Sequence, residues 1–186
     1  MLFRSDASRQ GYIMAISVLG FSGDAALSAF WKDGTTGAVL RKKFGALSVP
    51  ELSISLTYGT GSGQANWAYY ASRTVATVTA DNLDLSGSLT DGLGNTISAT
   101  KLKLLVVAIS SPNGTKALRV GPRGVANAAQ LNFGGVASTD YQTVTHWHVI
   151  YEPVAGYTIT GGTGDILGLY NATAGSVTYS ILMAGV

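Results

Sequence analysis

The sequence predicts an all-β protein: an antiparallel β-sandwich of jelly-roll-like topology with an N-terminal extension. Three observations support this prediction. From Leu47 onward, short apolar runs alternate with polar residues at the two-residue period of a β-strand. Clusters of Gly, Asn, Asp and Pro separate these runs, as turns separate short strands. The same region shows no segment with the longer apolar period of an amphipathic helix.

The strand predicted to organise the sandwich runs from Thr100 to Ser110, with the sequence TKLKLLVVAIS. Its alternation assigns one face to Leu102, Leu104, Val106 and Ala108. The other face is charged at its start and apolar at its end, and it carries Lys101, Lys103, Leu105, Val107 and Ile109. We therefore expect a strand that is solvated on one face where it begins and covered on both faces where it ends.

The chain divides into two predicted parts at a change of character near residue 47. Residues 1–46 form an N-terminal arm with short strands, and residues 47–186 form the β-sandwich domain. Within the arm, Tyr12 to Leu19 alternates like a strand, whereas Asp24 to Lys32 fits either a short capped helix or a strand. The Gly- and Ala-rich stretch from Gly121 to Asp140 predicts a surface loop.

Charge is scarce along the whole chain. Lys, Arg, Asp and Glu make up 12% of the 186 residues, while apolar residues reach 46%, so the charged share is about half of that in an average domain. This deficit predicts a surface partly covered by other subunits; a compact β-domain with a neutral exterior is the alternative. The net charge of +2 does not favour nucleic-acid binding, and no apolar run is long enough for a membrane helix.

Two groups of residues were candidates for metal binding. His146 and His148 share one face of a predicted strand, but the sequence indicates no third ligand, so we expect structural or surface roles for both. Oxygen ligands for calcium would have to come from Asp81, Asp84, Asp91 and Asn95. Their spacing is not that of an EF-hand, and each stands where turns favour Asp or Asn. The sequence therefore predicts no metal and no cofactor, and the absence of cysteine excludes thiolate ligands.

The sequence also predicts that the protein is not an enzyme. It contains no Gly-x-Ser-x-Gly motif, and its only glutamates are Glu51 and Glu152, with nothing that sets their separation. The loop from Gly59 to Gly63 lacks the Gly-Lys-Ser/Thr ending of a phosphate-binding loop. A hydrolase of unrecognised type that uses His146 and His148 is the rival hypothesis.

Several features suggest binding instead. The residues expected to contact a partner lie in the basic, aromatic N-terminal part: Phe3, Arg4, Tyr12, Phe21, Trp31, Arg41, Lys42 and Lys43. Three of these residues, Arg41–Lys43, form a basic run. The basic run is suited to binding an acidic protein face or phosphate, although three successive charges more often lie in a solvated loop. The aromatic residues fit sugar stacking, the anchoring of an interface, or burial in the core: Trp31, and Trp67, Tyr69 and Tyr70 beside a Gly-rich loop. Asn113 and Asn171 match the acceptor pattern for N-glycosylation. A protein that is not secreted is not glycosylated there, so we expect both to be turn residues.

Part of the chain resembles a known family. The segments that carry the resemblance are Ser72 to Val75, Asp81 to Thr96, Ala99 to Lys103, Gly156 to Leu167 and Ser176 to Leu182. They are similar to turn-and-strand signatures of small virion proteins of tailed bacteriophages, in particular capsid decoration (cement) proteins. The similarity covers roughly residues 50–186; residues 1–46 have no counterpart in the family, and the stretch from Gly121 to Trp147 departs from its pattern.

The resemblance implies a role that needs no catalytic residue. We expect a virion structural protein that decorates and stabilises a bacteriophage capsid, with the major capsid protein and further copies of itself, as a trimer or a dimer, as partners. It implies a place on the capsid exterior after assembly in the host cytoplasm, with no contact to nucleic acid or membrane. The alternative is a carbohydrate- or receptor-binding module of a phage head fibre or tail.

Overall fold

The structure is a computed structural model, which describes residues 12–19, 25–33, 39–47, 56–110, 115–122, 126–129, 131 and 141–186. For the three ranges before residue 48 it describes the backbone alone. Every regular element in these ranges is a β-strand, so the predicted all-β class is confirmed. The strands are β1 (Tyr12–Leu19), β2 (Ala25–Asp33), β3 (Val39–Leu47), β4 (Thr57–Tyr58), β5 (Gln64–Ala65), β6 (Trp67–Val75), β7 (Ala80–Asp84), β8 (Ser86–Thr90), β9 (Thr96–Ser98), β10 (Lys101–Ile109), β11 (Leu118–Val120), β12 (Gln142–Val144), β13 (Trp147–Tyr151), β14 (Tyr157–Thr158), β15 (Ile166–Asn171) and β16 (Val177–Gly185).

Eight of these strands form a jelly roll. One sheet has the order β13-β10-β16-β6, with β14 also paired to β10, and the other has the order β12-β11-β15-β7. β6 pairs with β16, β7 with β15, β10 with β13 and β11 with β12, all antiparallel. In the chain order of these eight strands, the first therefore pairs with the last, the second with the seventh, and so on to the centre. This is the wrapping of a double Greek key, and it confirms the predicted jelly-roll-like sandwich.

The main core lies between the two sheets. Alternate residues of each strand point inward, so Leu105 and Val107 of β10 and Ile181 of β16 meet Leu118 of β11 and Leu169 of β15. All five side chains are fully buried. The alternating pattern that predicted half-buried strands is thus the pattern that fills this core.

A second apolar cluster covers the outer face of the β10 sheet. Leu104 and Val106 of β10 and Leu182 of β16 pack there with Leu56 and Ala65, which precede β6 in the chain. β10 is therefore buried on both faces, as predicted for its second half.

The prediction for the first half of β10 is wrong in two respects. Its pairing with β16 contains a bulge between Leu102 and Leu104, which adds one residue to β10 and shifts the alternation. Leu102 consequently joins Leu105 in the main core instead of sharing a face with Leu104. Lys103, the extra residue, is not solvated: only 2% of its surface is exposed.

Lys103 fastens a loop to the sandwich. Its Nζ donates hydrogen bonds to the carbonyl oxygens of Gly61 and Gln64, the latter at 2.8 Å, and burial lowers its pKa. The Gly59–Gly63 loop is also held by the Gly63 amide, which donates to the Pro153 carbonyl at 2.8 Å. The loop is therefore anchored on two sides.

Part of the predicted surface loop after Gly121 is buried as well. Ala128 forms a parallel bridge with Ile166, and the Ala129 amide donates to the Ile166 carbonyl at 2.9 Å. Leu131 belongs to the main core. The prediction is wrong for these residues, because a weakly patterned stretch can still supply single core side chains.

The strands before residue 48 form a separate antiparallel sheet in the order β1-β2-β3. The predicted strand from Tyr12 to Leu19 is confirmed, and the ambiguous stretch after Asp24 is the strand β2. The basic run at 41–43 lies within β3 and not in a loop. Residues 1–11 lie outside the described residues, and the division at residue 46 stays a prediction.

Gly185 offers a test of the packing around the bulge. A Cβ at this position would collide with the Lys101 carbonyl and lie 2.8 Å from Cζ2 of Trp67. Gly185→Ala should therefore lower the free energy of unfolding by about 1–3 kcal/mol or more, the cost of overpacking. Urea denaturation measures the change. The control is Gly164→Ala, whose new methyl would meet only ordinary contacts, the nearest at 3.7 Å, and an equal loss in both variants would contradict the packing described here.

Lys103→Met should destabilise the fold by about 1–3 kcal/mol, because it leaves two carbonyl groups without their donor. The loss should be accompanied by faster amide hydrogen exchange at the 59–64 loop. Lys101→Met serves as the control, since Lys101 binds only the exposed Thr158 hydroxyl, at 2.8 Å. Unchanged exchange in the loop of the Lys103 variant would show that the lysine does not anchor it.

Candidate functional site

The candidate site lies where the chain crosses from one sheet of the sandwich to the other. β6 is the edge strand of its sheet, β7 is the edge strand of the facing sheet, and residues 76–79 connect them. Between the two edges the structure leaves an open cleft of about 520 Å³. It is lined by Ser72, Arg73, Thr74, Val75, Ala76, Thr79, Ala80 and Asp81.

An ion pair joins the two edge strands across the inner wall of the cleft. Arg73 of β6 donates from Nη2 to Oδ1 of Asp81 at 2.8 Å and from Nε to Oδ2 at 2.5 Å. This is the two-pronged geometry in which an arginine binds a carboxylate most strongly. The Tyr179 hydroxyl donates to Oδ2 of Asp81 at 2.8 Å, and Nη1 of Arg73 donates to the Tyr69 hydroxyl oxygen at 3.3 Å.

The electrostatics of this network keep Asp81, Arg73 and Tyr179 each in one protonation state at neutral pH. Burial by itself would raise the pKa of Asp81, but the hydrogen bonds from Arg73 and Tyr179 outweigh it and lower the pKa. The hydrogen bond to Asp81 raises the pKa of Arg73. Burial, together with the Asp81 carboxylate, raises the pKa of Tyr179. None of the three is poised to exchange a proton near pH 7, as a general acid or base must be.

The turn at the end of the cleft has an unusual backbone. Val78 adopts a φ of +57°, in the left-handed region that β-branched residues rarely occupy. The Thr79 amide and hydroxyl both bond the Ala76 carbonyl, at 3.3 Å and 2.9 Å, and fix the turn. Val78 is 64% exposed, so the corner presents an apolar side chain to its surroundings.

Asn171 supports the same corner from the interior. Its side chain is fully buried, and Nδ2 donates to the carbonyls of Val75, Ala76 and Gly175. Its Oδ1 accepts from the Thr173 amide at 2.9 Å. In the folded protein this amide is therefore not accessible for glycosylation, in agreement with the expected turn role. Asn113 lies outside the described residues.

The aromatic side chains considered for stacking on a sugar, those of Trp67, Tyr69 and Tyr70, are at least half-buried. Trp67 is 6% exposed and Tyr69 is 8% exposed, and both belong to the main core. Tyr70 is half-buried against the outer cluster. Of the two possibilities that the sequence left open, the structure supports core packing for Trp67 and Tyr69.

The histidines lie away from the cleft. His146 is exposed, and His148 is on β13, three strands from β6 in the same sheet, or roughly 14 Å. Burial lowers the pKa of His148. Neither can join Ser72 and Asp81 in a catalytic triad at this distance. Throughout the part of the chain that the structure describes, no three His, Asp or Glu side chains come together as metal ligands.

The acidic turn residues take the roles expected of them, with one exception. Asp84 accepts from the Ser86 amide at 2.8 Å, and Asp91 accepts from the amides of Leu93 and Asn95. Asp81 is the exception, because it lies in β7 and faces Arg73 instead of capping a turn. Glu152 accepts weakly from two backbone amides at 3.3 Å, and Glu51 lies outside the described residues.

The predicted partner-contact residues are placed only in part. Phe3, Arg4 and Phe21 lie outside the described residues. Tyr12 begins β1, opposite Asp33, and Trp31 of β2 stands opposite Met14 and Leu40. The basic residues occupy three successive positions of β3: Arg41, Lys42 and Lys43. Their contact with a partner stays a prediction.

The opposite charges of Arg73 and Asp81 give only a weak indication in the sequence that the two residues form a pair. The two residues are eight positions apart, on either side of a short stretch without an apolar run. Their approach requires that the chain change sheets between them, which a local pattern does not reveal. The pair was therefore not predicted.

Comparisons with known proteins give no relative of this chain: no family model, no curated protein and no solved structure matches it. A search of the described residues for a helix long and apolar enough to span a membrane also finds none.

The Arg73–Asp81 pair should make stability depend on pH in the acid range. Because the pKa of Asp81 is lowered on folding, its contribution is fully present above the ordinary value of 3.8 and is lost as the pH falls below it. At pH 7, Asp81→Asn should cost about 1–2 kcal/mol. We place the cost low in the range for charged hydrogen bonds, since the Arg73 side chain is 36% exposed.

Chemical denaturation of wild type and Asp81→Asn between pH 7 and pH 2.5 measures this contribution. The difference in the free energy of unfolding should shrink as the pH falls below about 3.8. Asp91→Asn is the control, because its carboxylate bonds only exposed turn amides and an Asn side chain keeps an acceptor there. A difference for Asp81→Asn that persists undiminished at pH 2.5 would contradict the assignment.

Proposed function

We propose that this chain is a virion structural protein that decorates and stabilises a bacteriophage capsid by binding the major capsid protein and further copies of itself. The observation that carries the proposal is a jelly roll in which the buried Lys103 and Asp165 and the partly buried Arg73–Asp81 pair all serve to fasten the fold. In the described residues, the Lys103 ammonium holds a loop, Asp81 holds Arg73 and Tyr179, and Asp165 accepts from the Gly162 amide at 2.6 Å.

This arrangement favours contact over chemistry. An enzyme needs a group that can change its protonation or attack a substrate inside a cleft. In the Arg73–Asp81 cleft the charges neutralise each other and the tyrosine hydroxyl is already a donor. A rigid two-sheet body with few charges is suited instead to packing among other subunits, a use that jelly rolls serve in viral capsids.

The resemblance to phage decoration proteins adds the identity of the larger partner. The mechanism would be mass action: a protein that binds only the assembled shell stabilises that shell by its binding free energy. Many weak contacts repeated over a lattice act together through multivalency. The basic run in β3 is the part of the described chain with the most concentrated positive charge, and it is suited to an acidic shell surface.

The carbohydrate-binding alternative lost its main support. Its basis is the cluster of Trp67, Tyr69 and Tyr70. Trp67 and Tyr69 lie in the core and offer no face for stacking on a sugar, and Tyr70 is half-buried against the outer cluster.

Co-sedimentation of the full chain with empty, expanded capsids of the phage that encodes it tests the proposal. The wild type should pellet with the shells. Arg41→Gln, Lys42→Gln and Lys43→Gln together should weaken binding about tenfold, because three charge contacts of about 0.5 kcal/mol each sum to about 1.5 kcal/mol.

The matched control removes the same number of charges from the jelly roll: Lys101→Gln, Lys116→Gln and Arg119→Gln. It should bind like the wild type. Failure of the wild type to bind shells at any occupancy would overturn the proposed function, and equal weakening by both triple variants would remove the role of the basic run.

A further inference from the structure

The outer edge of β6 carries backbone groups that point out of the sheet. On its inner side β6 pairs with β16 over its full length, without a bulge. The Ala68 carbonyl accepts a bond from the Gly92 amide, which lies outside this sheet, at 3.3 Å. Because alternate residues of a strand face the same way, the N–H and C=O groups of Ser72 and Thr74 also point away from β16.

A second contact confirms this orientation. The Thr178 carbonyl of β16 accepts from the Ser110 amide on the side of β10, so it does not bond β6. Thr178 stands directly opposite Thr74, and the two hydroxyls bond each other at 2.9 Å. In such a non-hydrogen-bonded pair the backbone groups of each residue point away from the other strand: those of Thr178 toward β10, and those of Thr74 toward the outer edge of the sheet.

Within the described residues, this edge lacks the features that normally prevent strands from pairing. Soluble proteins protect their edges with lysine, proline, bulges or covering segments. From Tyr70 to Thr74 the strand has no proline and no lysine, and its one charge, Arg73, points inward to Asp81. Ser72 and Thr74 are exposed, and no backbone group of the described residues bonds theirs at this edge.

The accessible stretch is short and has a defined centre. The turn around Gly92 occupies the edge at Ala68, and the strand ends before the turn at Ala76. Ser72 is midway between these limits. A symmetric pairing centred on Ser72 therefore uses the whole accessible stretch.

We propose that β6 pairs antiparallel with β6 of a second copy about a two-fold axis at Ser72. In this register each Ser72 exchanges both backbone hydrogen bonds with its counterpart, and each Thr74 stands opposite Tyr70 of the second copy. Arg73 then stands opposite Ala71, so no like charges oppose each other across the new pair. The two sheets join into one continuous sheet, and the self-complementary contact is closed, as a two-fold interface requires.

The neutrality of the edge favours a second copy over other occupants. Its only charge is compensated within the chain, so a nucleic acid or an acidic peptide gains no electrostatic attraction there. The hydroxyl side chains of Ser72, Thr74 and Thr178 match the same side chains of a second copy as neighbours on one sheet face. The pairing deepens the proposed function, because it supplies the self-association that decoration uses, and it can be measured without any shell.

Light scattering coupled to size-exclusion chromatography over a concentration series tests the pairing with the full chain. The wild type should form a dimer. Ser72→Lys should raise its dissociation constant about tenfold or more, since it places two like charges opposite each other on the axis. Thr145→Lys, an exposed position between β12 and β13 at the opposite edge of the two sheets, is the charge-matched control and should dimerise like the wild type.

Disulfide cross-linking tests the register. The chain contains no cysteine, so a single substitution introduces its only thiol. Ser72→Cys should cross-link under mild oxidation, because paired Cα atoms lie about 5.5 Å apart, within disulfide range. Thr178→Cys should stay uncrosslinked, since the two positions would be three strand spacings, or roughly 14 Å, apart across the sheet and further apart along it, where the register offsets them by four residues.

Each outcome bears on the proposal. A wild type that stays monomeric at its solubility limit overturns it, as does a dimer that Ser72→Lys leaves intact or equal cross-linking at both cysteine positions. Circular dichroism of Ser72→Lys and Ser72→Cys establishes that the variants fold. A monomer that still binds capsid shells would contradict the edge pairing alone, whereas a dimer that binds no shell would contradict the capsid role alone.

Discussion

Burial of β10 and β16 on both faces is the constraint on which the rest of the structure depends. The main core covers their inner face, and the cluster around Leu104, Val106 and Leu182 covers their outer face. Two strands with no solvated face must have all their backbone groups paired within the sheet. Each of the two strands has a neighbour on both sides, and within the described residues the backbone groups without a partner in this sheet lie on its edge, where β6 presents Ser72 and Thr74.

The buried Lys103 and the partly buried Arg73–Asp81 pair show how a protein with little charge uses it. Lys103 ties the 59–64 loop to the bulge of β10, and Arg73 with Asp81 ties together the edges of the two sheets. A buried charge is tolerated only where hydrogen bonds replace its water, and these contacts meet that condition. The same contacts leave the surface near β6 neutral. Rigidity of the body and neutrality of the edge thus have one cause, and both are properties that a subunit packed among copies of itself requires.

Much of the sandwich was predictable, because strand alternation is a local property that burial reinforces. The strand at Tyr12–Leu19, the series of strands after residue 56 and the turn roles of Asp84 and Asp91 all follow from short-range patterns. The error at Leu102 had a different origin: one extra residue in β10 shifted the faces of the strand, and a bulge has no clear signature in an apolar run. For Trp67 and Tyr69 the pattern fitted both core and surface, since an aromatic side chain serves in either.

The sequence by itself determined the fold class, the scarcity of charge and the absence of thiol chemistry, because these depend on composition and on patterns spanning a few residues. Only the tertiary structure decided that Arg73 meets Asp81, that Lys103 is buried and that Ser72 lies on an edge strand of the sheet. Each of these depends on which strands become neighbours. That choice is made by long-range pairing in a double Greek key, where β6 meets β16 from the far end of the chain, and no local pattern encodes it.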